Sequence, residues 1–313
     1  MIAKVWTRFK NNPVLVNELR SRMRGRRTFW VLGVYLLVLS GLMFTIYMTV
    51  YQDTASSQYY YVGQFQRSLE AASTLGKAIF YGTNLLLLLG VTLVAPAFTA
   101  SAIVSEKERQ TFDLLVITAL PARDIVLGKL SAVLVFIGVL LLATLPFQSM
   151  AYFFGGVAFG DILLAMLLLL LTTLLYCSWG LFVSSFARTV TIANMINYVA
   201  IVPMLLGVPF LLFLVGVLSA GAAMSIFQHP PFLVALVLSY VILFFVSINP
   251  VSMGIASAIF LQETGKYAFS VEQFFNQSIP IISPWVVFVA FALITSYFLI
   301  KGTISRVARV PKT

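Results

Sequence analysis

Residues 105–129 read SEKERQTFDLLVITALPARDIVLGK and form a strongly polar interruption between two long apolar runs. Inside the segment, apolar side chains recur at the i, i+3, i+4 and i+7 spacing of one helix face. These side chains are Phe112, Leu115, Val116 and Ala119. Pro121 fixes φ and has no N–H, so it suits the start of a following helix and predicts a corner near residues 118–121. A short amphipathic helix of this kind needs a groove to cover its apolar face.

Ser105 and Glu108 fit the S-x-x-E capping box, in which a hydroxyl and a carboxylate each accept a backbone N–H at a helix start. The pattern predicts that a new helix begins at Ser105. From pattern alone, a charged amphipathic turn between two spans is also compatible with a solvated loop that lies on the lipid headgroups.

The composition excludes an ordinary soluble domain. Hydrophobic residues make up 60% of the chain and charged residues 10%, whereas soluble domains are about half apolar and about a quarter charged. A helix needs about 20 apolar residues to cross the hydrocarbon core, and long apolar runs favour helices over a barrel. Such runs cover residues 29–51, 79–104, 125–155, 161–187, 190–219, 231–261 and 281–300. We predict an all-α polytopic helical membrane bundle that forms a single transmembrane domain over residues 1–313.

The positions of the basic residues predict the topology. Most of the 20 Lys and Arg residues lie before the first span, within 105–129, at Arg188 or after the last span. The positive-inside rule therefore places both termini, residues 105–129 and Arg188 in the cytoplasm. Residues 52–78 and 220–230 then face outward.

Two cytoplasmic termini require an even number of crossings. The apolar run 231–261 is interrupted by Asn249-Pro250. We predict six transmembrane helices plus an external re-entrant hairpin at 231–261; two full spans there, and so eight crossings, are the alternative. The polar segment 262–280 is then external.

Residues 11–28, NNPVLVNELRSRMRGRRT, predict a helix that lies along the inner leaflet. Asn12 suits the N-cap and Pro13 the first helical position. Arginines occupy much of the remaining surface, where anionic headgroups attract them. The apolar face consists of Leu15, Leu19 and Met23.

Polar residues inside the spans predict helix contacts. Asn84, Pro146 and Gln148 are expected to mark bends and interhelix hydrogen bonds. Asn194 and Asn197 are three residues apart and share a helix face. They serve either in helix packing or as a candidate translocation path or dimer seam.

The residues for most catalytic and metal chemistry are missing. One cysteine, Cys177, and one histidine, His229, exclude a thiolate cluster or a multi-histidine metal site. Gly128-Lys129 is not a phosphate loop, because positions 123 and 130 hold Arg and Leu. We therefore expect no catalytic residue, cofactor or metal in this chain, and no ATP hydrolysis by the chain alone. Mid-span carboxylates that would support a proton relay are also not evident.

Residues 105–129 resemble the loop after the second span of permeases in the type-two ABC exporter superfamily. The pattern there is E-R-E-x-G-T-L-D-L-L-L-x-T-P-L, followed after a few residues by I-V-x-G-K. The residues that match in order are Glu108, Arg109, Thr111, Asp113, Leu114, Leu115, Thr118, Ile125, Val126, Gly128 and Lys129. The chain departs at Gln110, where Gly is common, and at Ala119, where Pro often follows. The N-terminal N-P-V-L-V-N-E-L-R segment also resembles the family, but the last hundred residues carry no matching motif.

The resemblance implies a permease domain with an elbow helix at 11–28 and a coupling helix within 105–124 that docks a separate ABC ATP-binding subunit. ATP and Mg would be bound by that subunit. A second permease copy or a homologue and the lipid membrane are the other expected partners, with no nucleic acid. The expected docking residues are Glu106, Glu108, Arg109, Thr111, Phe112, Asp113, Leu115 and Val116. Glu106 is expected at the rim, where exposed ion pairs contribute about 0–1 kcal/mol.

The resulting functional hypothesis is the membrane-spanning subunit of an ATP-driven ABC transporter, an exporter, in the bacterial plasma (inner) membrane. A membrane scaffold or sensor that docks a cytoplasmic partner without transport is the alternative. A membrane-embedded enzyme ranks third, because no nucleophile–base pair or paired intramembrane carboxylates are found. A neighbouring gene that encodes a phosphate loop would favour the transporter.

Overall fold

The computed structural model of the protein describes residues 16, 18, 26–56, 64–110, 121–207, 209–210, 232–274 and 277–308. The helices in chain order are α1 (Arg26–Ser56), α2 (Gln64–Glu108), α3 (Ala122–Ala143), α4 (Leu145–Phe154), α5 (Phe159–Phe186), α6 (Val190–Val202), α7 (Phe232–Ile248), α8 (Pro250–Thr264) and α9 (Pro284–Ala308). A π-helical turn, Pro203–Gly207, continues α6, and a hairpin of β1 (Phe269–Phe274) and β2 (Gln277–Ile282) precedes α9.

The predicted all-α membrane bundle is confirmed. Six segments within the described residues are long and apolar enough to cross a membrane. They are Leu32–Val50, Leu69–Glu108, Ala122–Phe154, Phe159–Phe186, Val190–Gly207 and Pro284–Ala308. Of the predicted elbow helix, Val16, Glu18 and residues 26–28 are described, and 26–28 belong to α1.

The chain packs as two compact units. One contains Met1–Ala193 and Ile300–Thr313, and the other contains Asn194–Leu299. The boundaries fall inside α6 and α9. The prediction that residues 1–313 form one permease domain stays a prediction.

Helix α2 organises the first unit, where it contacts α1, α3, α4 and α5. Gly180 of α5 allows this helix and α2 to approach closely. A Cβ at this position would overlap Oγ1 of Thr99 in α2. One turn later, the buried hydroxyl of Ser184 donates to the carbonyl of Ala100 at 2.7 Å. The same oxygen accepts from two successive backbone N–H groups of α2, each at 3.1 Å. Hydrogen bonds to the α2 backbone thus fix its last turns against α5.

The third apolar run bends where the sequence predicts. It divides at Thr144, two residues before Pro146, into α3 and α4. Gln148 is fully buried, and its Nε2 donates to Oδ1 of Asn84 at 3.3 Å. The predicted bend and interhelix hydrogen bond are both confirmed.

In the second unit, α7 and α8 divide the run 231–261 at Asn249. The Asn249 side chain caps α8 by accepting from the N–H groups of Val251 at 2.8 Å and Ser252 at 3.1 Å. The predicted break is therefore confirmed. The re-entrant path through the membrane stays a prediction.

The buried Asn249 amide also completes the π-helical turn. Its Nδ2 donates to the carbonyls of Met204 and Leu205. Pro209, four residues after Leu205, has no N–H, so the Leu205 carbonyl lacks its usual helical donor. The Asn249 side chain therefore supplies hydrogen-bond partners both for backbone N–H groups at the start of α8 and for backbone carbonyls at the end of the fifth span, where Pro209 removes a donor.

The polar segment 262–280 contains a hairpin that the sequence analysis missed. β1 and β2 pair antiparallel, with Phe269 opposite Ile282. Nε1 of Trp285 donates to the carbonyl of Tyr267 at 2.6 Å, and the Tyr240 hydroxyl donates to the carbonyl of Pro280 at 2.9 Å. These bonds hold the hairpin against α7 and the start of α9.

Candidate functional site at the end of helix α2

Residues 105–108 form the last turn of α2, so the predicted helix start at Ser105 is wrong. The Ser105 hydroxyl donates back to the carbonyl of Ser101 at 2.6 Å, within the same helix. The Glu108 carboxylate accepts from the N–H of Val190, and not from Ser105. Long-range partners have therefore replaced the local capping box. The side chains of this turn fasten α2 to several other elements.

Glu106 holds the buried side chain of Lys129, near the start of α3. The Lys129 ammonium lies 2.7 Å from Oε1 of Glu106 and 3.3 Å from Oε1 of Glu18. It also donates to the carbonyl of Ala102 at 2.6 Å. An ammonium group has three donors, and these three acceptors use them all. Buried charged groups in proteins are normally paired and hydrogen-bonded in this way.

The next two residues, Lys107 and Glu108, reach the two helices on either side of the α5–α6 turn. The Lys107 ammonium donates to the carbonyl of Ser185 at 2.6 Å, in the last turn of α5. Oε1 of Glu108 accepts from the N–H of Val190, the first residue of α6, at 2.9 Å. A cation at a helix C-terminus and an anion at an N-terminus both complement the helix dipoles. Adjacent charges on α2 thus fix both ends of this turn.

The C-terminal end of α9 joins the same region. The Arg306 guanidinium lies over the rings of Phe182 and Phe186 in α5, at 5.0 and 5.1 Å from their centroids. Such distances are within the range of cation–π attraction. The ends of α2, α5 and α9 and the starts of α3 and α6 therefore meet at one end of the first unit.

Helix α2 ends in a turn at Arg109 and Gln110. The N–H of Arg109 donates to the carbonyl of Ser105, and that of Gln110 to the carbonyl of Lys107, each at 3.1 Å. Gln110 has a φ of 57°, the left-handed conformation in which a helix commonly ends and which favours glycine. This conformation explains why glycine is common at the equivalent position of the motif that this segment resembles.

A comparison with known protein families identifies the chain. The family described as ABC-2 family transporter protein matches residues 13–302, which include the whole α2 end and its partners. The chain belongs to the ABC-2 transporter family. This membership agrees with the resemblance noted for residues 105–129, and it makes the chain a multi-pass permease. No curated protein matches this ABC-2 permease.

The predicted docking residues of the ABC-2 permease are described in part. Glu106, Glu108 and Arg109 are described, while Thr111, Phe112, Asp113, Leu115 and Val116 lie outside the described residues. The Glu106 side chain is 23% exposed and paired with a buried lysine, so its ion pair is not an exposed one. Its place at the rim of the docking surface stays a prediction. Arg109 is exposed and remains a candidate contact.

Asn194 and Asn197 belong to the second unit. Asn197 is fully buried, and neither polar atom of its amide has a hydrogen-bond partner among the described residues. Its assignment to a translocation path or a dimer seam stays a prediction. Asn194 is half-buried, and its Oδ1 has no hydrogen-bond partner in the part of the chain that the structure describes, so Asn194 also stays a candidate for the seam or the path.

Sequence reasoning missed two members of the site. Lys129 was recognised as a motif residue, but its burial was not anticipated. Glu18 is the only acidic residue among residues 1–52, and this isolation was the available signal. Among the described residues, no three His, Cys, Asp or Glu side chains gather as a metal site.

Proposed function

We propose that this ABC-2 permease is the membrane-spanning subunit of an ATP-driven exporter and that it docks a separate ABC ATP-binding subunit through residues 105–124. The observation that carries the proposal is the fastening of the α2 end. Glu106, Lys107 and Glu108 bond three different elements, and the segment that follows carries the apolar stripe of residues 112–119.

A docking segment can transmit movement to the membrane helices only if the helix end that carries it is held firmly. Here that helix end is the last turn of α2. Charged side chains of α2 tie the end of this helix to Lys129 of α3 and to backbone groups of α5 and α6, and the Ser184 hydroxyl of α5 bonds to the α2 backbone. Breaking the buried bonds of Lys129 and Ser184 leaves desolvated groups unpaired. A push on residues 111–120 should therefore displace these helix ends together.

The bonds between the end of α2 and its neighbouring helices suggest how ATP would drive the permease. Closure of two ATP-binding subunits would bring their docking segments together and shift the permease between inward- and outward-open packings. Packed helix bundles switch between discrete arrangements by rigid-body movement. ATP binding favours the packing to which the closed subunits bind more tightly.

The proposed setting is the bacterial inner membrane, with both termini and residues 105–129 in the cytoplasm. The gathering of Lys107, Lys129 and Arg306 at one end of the first unit supports this orientation by the positive-inside rule. The permease would pair with a second copy or a homologue, and Asn194 and Asn197 are the candidate seam or path residues.

Retention of the ATP-binding subunit tests the proposal. Phe112→Ser/Leu115→Ser removes the predicted apolar stripe, and truncation of interface anchors costs about 2 kcal/mol or more each. At about 1.4 kcal/mol per tenfold, the subunit should bind more than an order of magnitude more weakly. Co-purification at equal membrane abundance measures this loss.

Phe269→Ser/Val271→Ser is the matched control, because it likewise replaces one phenylalanine and one aliphatic residue by serine, at exposed positions of β1. It should retain the ATP-binding subunit as the wild type does. Equal retention by the stripe variant would make residues 105–120 an ordinary solvated turn, or part of a scaffold with a different partner.

A further inference from the structure

Glu18 connects the N-terminal segment to the site at the end of α2. It is flanked by a strongly basic sequence, with Arg20, Arg22 and Arg24 directly after it. Glu18 contacts the ammonium of Lys129, which is 111 residues away in sequence. The contact brings Glu18 to the ion-paired cluster at the end of α2.

Lys129 is shared unequally between its two carboxylates. Its ammonium lies at 2.7 Å from Glu106, a length typical of charge-assisted hydrogen bonds, but at 3.3 Å from Glu18. The 2.6 Å bond to the carbonyl of Ala102 further fixes it to α2. Lys129 therefore moves with α2 and α3, and Glu18 follows it through a weaker contact.

We infer that Lys129 is a positioning residue that couples docking of the ATP-binding subunit to the N-terminal segment, with Glu18 as the receiving partner. The inference rests on the proposed function and deepens it. Displacement of the α2 end carries the Lys129 ammonium with it. The Glu18 carboxylate, and the segment that holds it, then move toward the new position of the cation.

Glu18→Gln separates this coupling from docking itself. The substitution keeps the size of the side chain, removes its charge, and leaves the Lys129–Glu106 pair in place. It should leave affinity for the ATP-binding subunit within about threefold of wild type, less than 1 kcal/mol. The response of the N-terminal segment to docking should be lost.

An environment-sensitive fluorophore at Val16→Cys measures that response, because Val16 is 46% exposed. The native Cys177 is fully buried, and labelling of the chain without Val16→Cys gives the background. The labelled permease, in lipid nanodiscs, is titrated with the ATP-binding subunit that co-purifies with it. Docking is measured separately by co-purification.

We expect a saturable fluorescence change in the wild type and none in Glu18→Gln. Glu18→Asp, which keeps the charge, should retain part of the change, and Glu263→Gln, an exposed acid in α8, should retain all of it. Elution of each variant as a monodisperse peak in size-exclusion chromatography checks folding.

A full response in Glu18→Gln, or docking to the wild type without any response, would overturn the inference. Failure of the ATP-binding subunit to bind the wild type contradicts the proposed function itself. The separate docking measurement distinguishes this outcome from loss of coupling alone.

Discussion

Replacement of Lys129 by methionine tests how far the ion-paired cluster at the end of α2 stabilises the permease. Methionine has a similar length and fills the buried space, but it removes the charge and all three hydrogen bonds. The Glu106 and Glu18 carboxylates and the Ala102 carbonyl then lose a partner.

The expected loss of stability follows from the burial of the ion pairs of Lys129. Removing one partner of a buried ion pair costs about 3–5 kcal/mol. The lower end applies here, because both glutamate side chains are 23% exposed and water can solvate part of their charge. At about 2–4 °C per kcal/mol, Lys129→Met should lower the unfolding temperature by at least about 6 °C.

Thermal unfolding of the purified chain, followed by intrinsic fluorescence, measures this shift. Glu106→Gln should lower the unfolding temperature less than Lys129→Met does, since Glu18 remains as a counter-ion for Lys129. Glu18→Gln should lower it least, because the contact between Glu18 and Lys129 is the longer of the two. Lys77→Met, at an exposed position of α2, is the control. Equal unfolding temperatures for Lys129→Met and Lys77→Met would refute the stabilising role of the cluster.

Three further substitutions test the local geometry. Gln110→Gly should raise the free energy of unfolding by about 1 kcal/mol, because it relieves a left-handed residue; a lower unfolding temperature would contradict that turn. Gly180→Ala should reduce the yield of folded protein in size-exclusion chromatography, since its methyl group overlaps Oγ1 of Thr99. Adding Thr99→Ala to the same chain should restore part of that yield. A double variant without any recovery would show that the clash lies elsewhere. Asn249→Leu should cost about 2 kcal/mol by uncapping α8 and leaving the Leu205 carbonyl without a donor, whereas Asn249→Ser, which keeps a capping hydroxyl, should unfold at a higher temperature than Asn249→Leu.

The spans were predictable from sequence because length and hydropathy alone decide whether a helix can cross a membrane. Pro146 and Asn249-Pro250 were predictable as breaks for a similar reason, since proline lacks the N–H that a helix interior requires. Interhelix hydrogen bonds from Asn84 and Gln148 were predictable because unpaired amides are unfavourable in lipid, but their pairing with each other was not predicted.

The site was predictable only in part, because its bonds join residues far apart in sequence. The capping box at Ser105 and Glu108 was a sound local pattern, yet the N–H of Val190 uses the carboxylate instead. Lys129 occurs where an apolar run begins, and its sequence neighbours give no sign of Glu18 or Glu106. The hairpin at β1 and β2 was missed because its polar composition resembles that of a loop.

Photo-cross-linking from position 112 tests most directly whether this segment binds an ATP-binding subunit. Phe112 is replaced by a photoreactive phenylalanine analogue, cells are irradiated, and the cross-linked chains are identified by mass spectrometry; the same analogue at Phe269, in the hairpin, is the control. We predict a cross-link from position 112, but not from position 269, to a protein that contains a phosphate loop. A position 112 that reacts only with lipid, or with the same chains as position 269, would contradict docking through this segment.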